Sequence, residues 1–151
     1  MSLLSLKETI TEAMKAAMRA HEKERLTTIR LILSEAKQIE VDERIVVDDT
    51  RMLVILDKML KQRRDSVSQF QQAGRQDLID IELAEISIIQ SFMPQQLTET
   101  EIAELISDAM TETGAKTVKD MGKVMAILKP KMQGRADMAV VGSLIKQQLA
   151  G

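Results

Sequence analysis

The sequence predicts an all-α protein. Apolar residues recur at i, i+3, i+4 and i+7 through nearly every long segment, the pattern of a helix with one buried face. Residues that favour strands gather only once, at Ile45-Val46-Val47. Gly74, Pro94 and Gly114 stand where periodic segments stop. Together these give a four-helix N-terminal subdomain of hairpin type over 1–93, a linker at 94–97 and a three-helix bundle over 98–151.

The first helix starts at a capping-box pattern, Ser5 with Glu8 three residues on, and carries Leu6, Ile10, Ala13, Met14 and Ala17 on one stripe. His21-Glu22-Lys23-Glu24 interrupts it, and a second helix follows with Leu26, Ile29, Leu33 and Ala36 inward. Two helices joined this closely lie antiparallel. Glu40 to Thr50, with five acids, reads as a loop or extended connection in which Asp48 or Asp49 caps the next helix. The third helix is expected from about Thr50 to Ala73, where Gly74 supplies the permissive backbone of a C-terminus. A fourth runs from about Gln76 to Phe92 and stops before Pro94.

Polar residues interrupt both of those stripes. Leu56, Met59, Leu60, Arg63, Val67 and Phe70 fall inward on the third helix; Leu78, Ile81, Glu85, Ile88 and Phe92 do so on the fourth. Arg63 and Glu85 each lie eleven residues from Gly74, so a hairpin turning there sets them opposite one another. A partly desolvated charge needs such a partner. The expectation is a structural ion pair fixing hairpin register; the alternative makes Glu85 an acid or base and Arg63 an anion contact, although nothing nucleophilic is placed nearby.

After Pro94, Thr98-Glu99-Thr100-Glu101 is a capping box, and Ile102, Leu105, Ile106 and Ala109 carry the fifth helix to Gly114. Thr117 with Asp120 caps the sixth, Pro130 and Gly134 break it, and Asp137 caps the seventh. Met121, Val124, Met125 and Leu128 form one stripe, and Val141, Leu144, Ile145 and Leu149 another. Gly122 and Gly142 lie inside these helices, which close helix approach or a backbone pressed against a ligand would explain.

Charge is segregated along this half. The fifth helix carries Glu99, Glu101, Glu104, Asp108 and Glu112, whereas Gly114 to Gly151 holds seven Lys or Arg against two acids, a net +5. Gathered positive charge is what a phosphate backbone attracts. Lys119, Lys123, Lys129, Lys131, Arg135 and Lys146 are the candidate RNA contacts, expected on one exposed side and clustering around the Lys129–Arg135 connection. The competing reading is an ordinary solvated surface.

The same stretch resembles a known family. Met121-Gly122-Lys123-Val124-Met125, the run from Lys129 through Gly134-Arg135-Ala136 to Asp137, and Val140 to Lys146 are similar to the GatB/YqeY signature. The whole chain resembles the stand-alone YqeY proteins. The C-terminal part alone resembles the tail of the B subunit of glutamine-dependent aminoacyl-tRNA amidotransferases. Lys61 to Ser66, Phe70, Gly74-Arg75 and Asp77-Leu78 also look like the YqeY pattern, while Phe92-Met93-Pro94 departs from its usual Tyr-Leu-Pro and loses a hydroxyl. The resemblance implies a tRNA-associated helical module, with tRNA and an amidotransferase or other translation-related protein as partners. Carbon-nitrogen ligase activity with a glutamine donor would follow from family association only.

Composition narrows the chemistry. There is no cysteine, so no disulfide, thiolate nucleophile or Cys-based metal site is available. His21 is the only histidine, which leaves little for a metal cluster or a Ser-His-Asp triad. With no Trp, no Tyr and two Phe, RNA contact would run through phosphates, sugars and shape and not through base stacking. Eleven methionines, mostly on helical stripes, read as core filler, with a pliable partner groove as the other possibility. No apolar run reaches the ~20 residues of a membrane span, and the expected location is the cytoplasm. The reading is a tRNA-binding module with no catalytic residues, metal or cofactor; the alternative is a protein-interaction adaptor using the acidic fifth helix or the hairpin of helices three and four.

Overall fold

The computed structural model of the chain describes residues 4–150. Among these the protein is all-α: α1 Leu6–Arg19, α2 Lys23–Glu43, α3 Asp49–Gln72, α4 Gln76–Gln90, α5 Glu99–Thr113, a 3-10 turn Val118–Asp120, α6 Met121–Met132 and α7 Met138–Ala150. The chain divides into two units, Met1–Met93 and Pro94–Gly151.

In the first unit, the Ser5 hydroxyl accepts from the Glu8 N–H at 3.1 Å and starts α1. Asp48 does the same for α3, accepting from Arg51 N at 2.8 Å. Asp49 reaches further and accepts from Leu6 N at 2.8 Å, so a residue of α3 caps α1. Ile10, Ile29, Ile32, Met52, Leu56 and Ile89 are fully enclosed at the centre of the core, and Leu6, Met14, Leu26 and Phe92 pack around it.

Two expectations are corrected here. The acid-rich segment after residue 40 is not a loop from its start, because α2 continues to Glu43 and ends at Arg44 in the left-handed conformation, φ 56°. Glu40 explains the extra turn. Its carboxylate binds Lys7 Nζ at 2.8 and 2.9 Å and the Val47 N–H at 3.0 Å, which holds it below the usual carboxylate range. Val47 is buried while Val46 is exposed, and the triplet forms no strand. On α4 Ile89 is in the core and Ile86 and Ile88 pack against it, as Phe92 does just beyond the helix, so Ile88 and Phe92 face inward as expected while Ile81 is 55% exposed. The helix is apolar at so many positions that periodicity alone does not settle each inward one.

The second unit has its own core of Ile106, Ala109, Val124, Leu128, Met132, Ala136, Val141, Ile145 and Leu149. Thr98 and Glu101 form a reciprocal capping box, with both bonds at 3.1 Å, and Gly114 ends α5 at φ 67°. Pro130 does not break α6, which continues to Met132; the chain turns at Gly134, φ 77°. Leu144, expected inward, is 36% exposed on α7. Residues 95–97, expected as linker, are stitched to the α6–α7 loop: Leu97 N donates to Arg135 O at 2.8 Å, Gln96 Nε2 to Gly134 O at 2.8 Å, and Arg135 Nε to Gln95 O at 3.2 Å.

Candidate nucleic-acid interface

The basic stretch begins where the 3-10 turn runs into α6. Lys116, Lys119, Lys123, Lys129, Lys131 and Lys146 are exposed and Arg135 is half-buried. The two acids of this stretch are engaged with the backbone. Asp120 accepts from the N–H groups of Lys116 and Thr117 at 3.0 and 3.2 Å, and these bonds, with Lys123 nearby, hold it below the usual carboxylate range. Asp137 accepts from Ala139 N at 3.0 Å at the start of α7. None of the seven cations takes part in the ion pairs formed among the described residues. The acids of α5 are exposed too, and none of them forms an ion pair with these cations among the described residues.

Within α6 the three lysines do not share one face. At about 100° of helix rotation per residue, Lys123 and Lys131 project from α6 roughly 80° apart, while Lys129 points roughly 120° away from Lys123. Lys119 stands one turn before Lys123. The helix-terminal lysines also have a structural use, because Lys129 and Lys131 occupy the last turn of α6, where cations offset the helix dipole. Arg135 differs from the lysines: its guanidinium ties down Gln95, and its charge is one of the smaller influences lowering Glu101, after the Thr98 bonds.

Gly122 is exposed, and a Cβ built on it meets nothing within 4 Å, so close helix approach does not explain it. A Cβ built on Gly142 would stand 3.5 Å from Met121 Cε, ordinary packing distance.

In the first unit, Arg63 Nε donates to Glu85 Oε2 at 3.0 Å, with side chains 15% and 24% exposed, and an Arg63 guanidinium N–H also reaches Met59 O at 3.3 Å. Beside them lies Glu82, which the sequence reading did not single out. Its Oε2 is buried with no hydrogen-bond partner, and burial, then the Glu85 charge, push its carboxyl up against the pull of Arg63. The signal was present as a Glu three residues before Glu85, one helical turn away on the same side. His21 is exposed in the α1–α2 turn at φ 57°.

Compared with known proteins, residues 7–149 match the model of a family described as Yqey-like protein. The chain belongs to the Yqey-like protein family. Relatives within reach of this Yqey-like chain include "Altered inheritance of mitochondria protein 41, mitochondrial" of Pyrenophora tritici-repentis, 31% identical over 77% of this chain and 67% of that protein. The proteins of the same name in Vanderwaltozyma polyspora and Lachancea thermotolerans are 30% and 33% identical, over 80% and 74% of this chain and 66% and 61% of theirs. The chain thus spans about two thirds of the length of these relatives. Their names place them in mitochondria, which overturns the cytoplasmic assignment. A cysteine-free composition without a membrane-length apolar run suits a mitochondrial compartment equally well, so it never separated the two.

Proposed function

We propose that this Yqey-like protein is a tRNA-binding module related to the glutamine-dependent aminoacyl-tRNA amidotransferases and has no catalytic centre of its own. The observation that carries this reading is that none of the seven cations of this stretch enters an ion pair among the described residues, while Asp120 and Asp137 are held by backbone N–H groups. An unneutralised set of ammonium groups in a slightly acidic protein suits a polyanion, and the lack of aromatic platforms directs contact to phosphates. Lys119, Lys123 and Lys131 serve as the main contacts, Lys129 and Lys146 reach neighbouring phosphates, and Arg135 supports the loop between α6 and α7.

Titrating tRNA at several salt concentrations tests this. Affinity should fall as salt rises, and Lys123→Gln with Lys131→Gln should flatten the slope of log affinity against log salt by roughly 1.5, since each phosphate contact contributes about 0.7 to 0.9. Binding indifferent to both salt and substitution sinks the proposal. Ammonia release from glutamine with mischarged tRNA should stay at background; release above it would restore the enzyme reading.

A further inference from the structure

The fourth helix carries an apolar stripe that its own core covers only at one end. Ile81, Ala84 and Ile88 follow one another at i, i+3 and i+7; Ile88 is half-buried against the core beside Ile86 and Ile89, while Ile81 and Ala84 are exposed. They face the start of α2 across a groove of about 520 Å³. The Thr27 and Thr28 hydroxyls donate back to Lys23 O and Glu24 O at 2.9 and 3.2 Å, so these residues enter the groove with their polar groups already satisfied. Ile81 is left 55% exposed on the groove wall.

The rim is acidic. Glu24, Asp80 and Glu85 line it, and α4 as a whole carries four acids and no Lys or Arg. Of the rim carboxylates, Glu85 is matched by Arg63; Glu24 and Asp80 form no ion pair among the described residues. Arg25 is turned elsewhere, paired with Glu22 at 3.8 Å and lying 5.5 Å from the Phe92 ring centroid. An apolar floor between acids repels phosphate, so this surface does not extend the basic one. It matches a helix with an apolar stripe flanked by Lys or Arg.

We propose that the α2–α4 groove docks a basic amphipathic helix of a protein partner. The probe is a fluorescent synthetic helix with Leu or Ile at i, i+3, i+4 and i+7 and flanking lysines, titrated against the full chain by anisotropy. Two controls keep the logic separate: the same stripe flanked by glutamates, and a scramble of equal charge without the stripe. The lysine-flanked helix should bind and both controls should not. Ile81→Ser and Asp80→Lys, both at exposed positions, should each weaken binding by roughly tenfold, the loss expected of a central contact. Leu83→Ser, about 200° round the helix from Ile81, should leave it unchanged. Equal binding of the scrambled peptide, or indifference to both groove substitutions, overturns the proposal. So does a dimer in light scattering that Ile81→Ser abolishes, because a second copy would then occupy the groove.

Discussion

Arg63 bonds to Glu85 and also pulls on Glu82, whose carboxyl is nevertheless pushed up by burial and the Glu85 charge. Its folded-state affinity for a proton is raised, so the ionised form opposes folding. That penalty is absent below the ordinary carboxylate range and grows as pH climbs toward the raised value. Glu82→Gln should therefore raise the Tm at pH 7, with the difference vanishing below about pH 4. Glu85→Ala should cost about 1–3 kcal/mol by leaving a half-buried guanidinium without its main acceptor. In that background the attraction between Glu82 and Arg63 is no longer opposed by the Glu85 charge, and Glu82→Gln should now lower the Tm. Thermal melts of the four proteins at pH 4 and 7 check this, and a gain of equal size in both backgrounds would show the carboxylates to be independent. The equal spacing of Arg63 and Glu85 about Gly74 is visible in the sequence. The role of Glu82 is not, since it depends on which of several apolar faces of α4 turns inward.

At the scale of elements, helix starts were the most legible feature, because a Ser, Thr or Asp that caps a helix states its position directly, as Ser5, Asp48 and Thr98 do. Ends set by tertiary partners were not legible. The last turn of α2 depends on Glu40 meeting Lys7 thirty-three residues away, and no local pattern reports that. Pro130 reads as a stop in the sequence, yet in the final turn of a packed helix the lost N–H is tolerated. Gly122 offers a test within α6. Since open space surrounds it, Gly122→Ala should stabilise the second unit by up to about 1 kcal/mol through helix propensity, and tRNA affinity should stay within twofold if lysines carry the binding. A clear loss of affinity in a filter-binding assay would place the ligand against the α6 backbone.

For the molecule as a whole, a net charge of −2 conceals a basic stretch of +5 in one unit and an acid-only helix in the other. The helical class and the family were legible because periodicity and a run of matched residues extend along the whole chain. The cellular location was not, since nothing in composition records a destination. The stitched segment at 95–97 changes where the second unit begins in practice. A fragment starting at Thr98 keeps every helix and every core residue named above, yet loses the Leu97 amide and Gln96 amide donors and the Gln95 acceptor. Its α6–α7 turn should fray, with a lower melting temperature by circular dichroism than a fragment starting at Pro94. Anyone isolating this half to measure its ligands would then be comparing a clasped turn with an unclasped one, four residues apart at the cut.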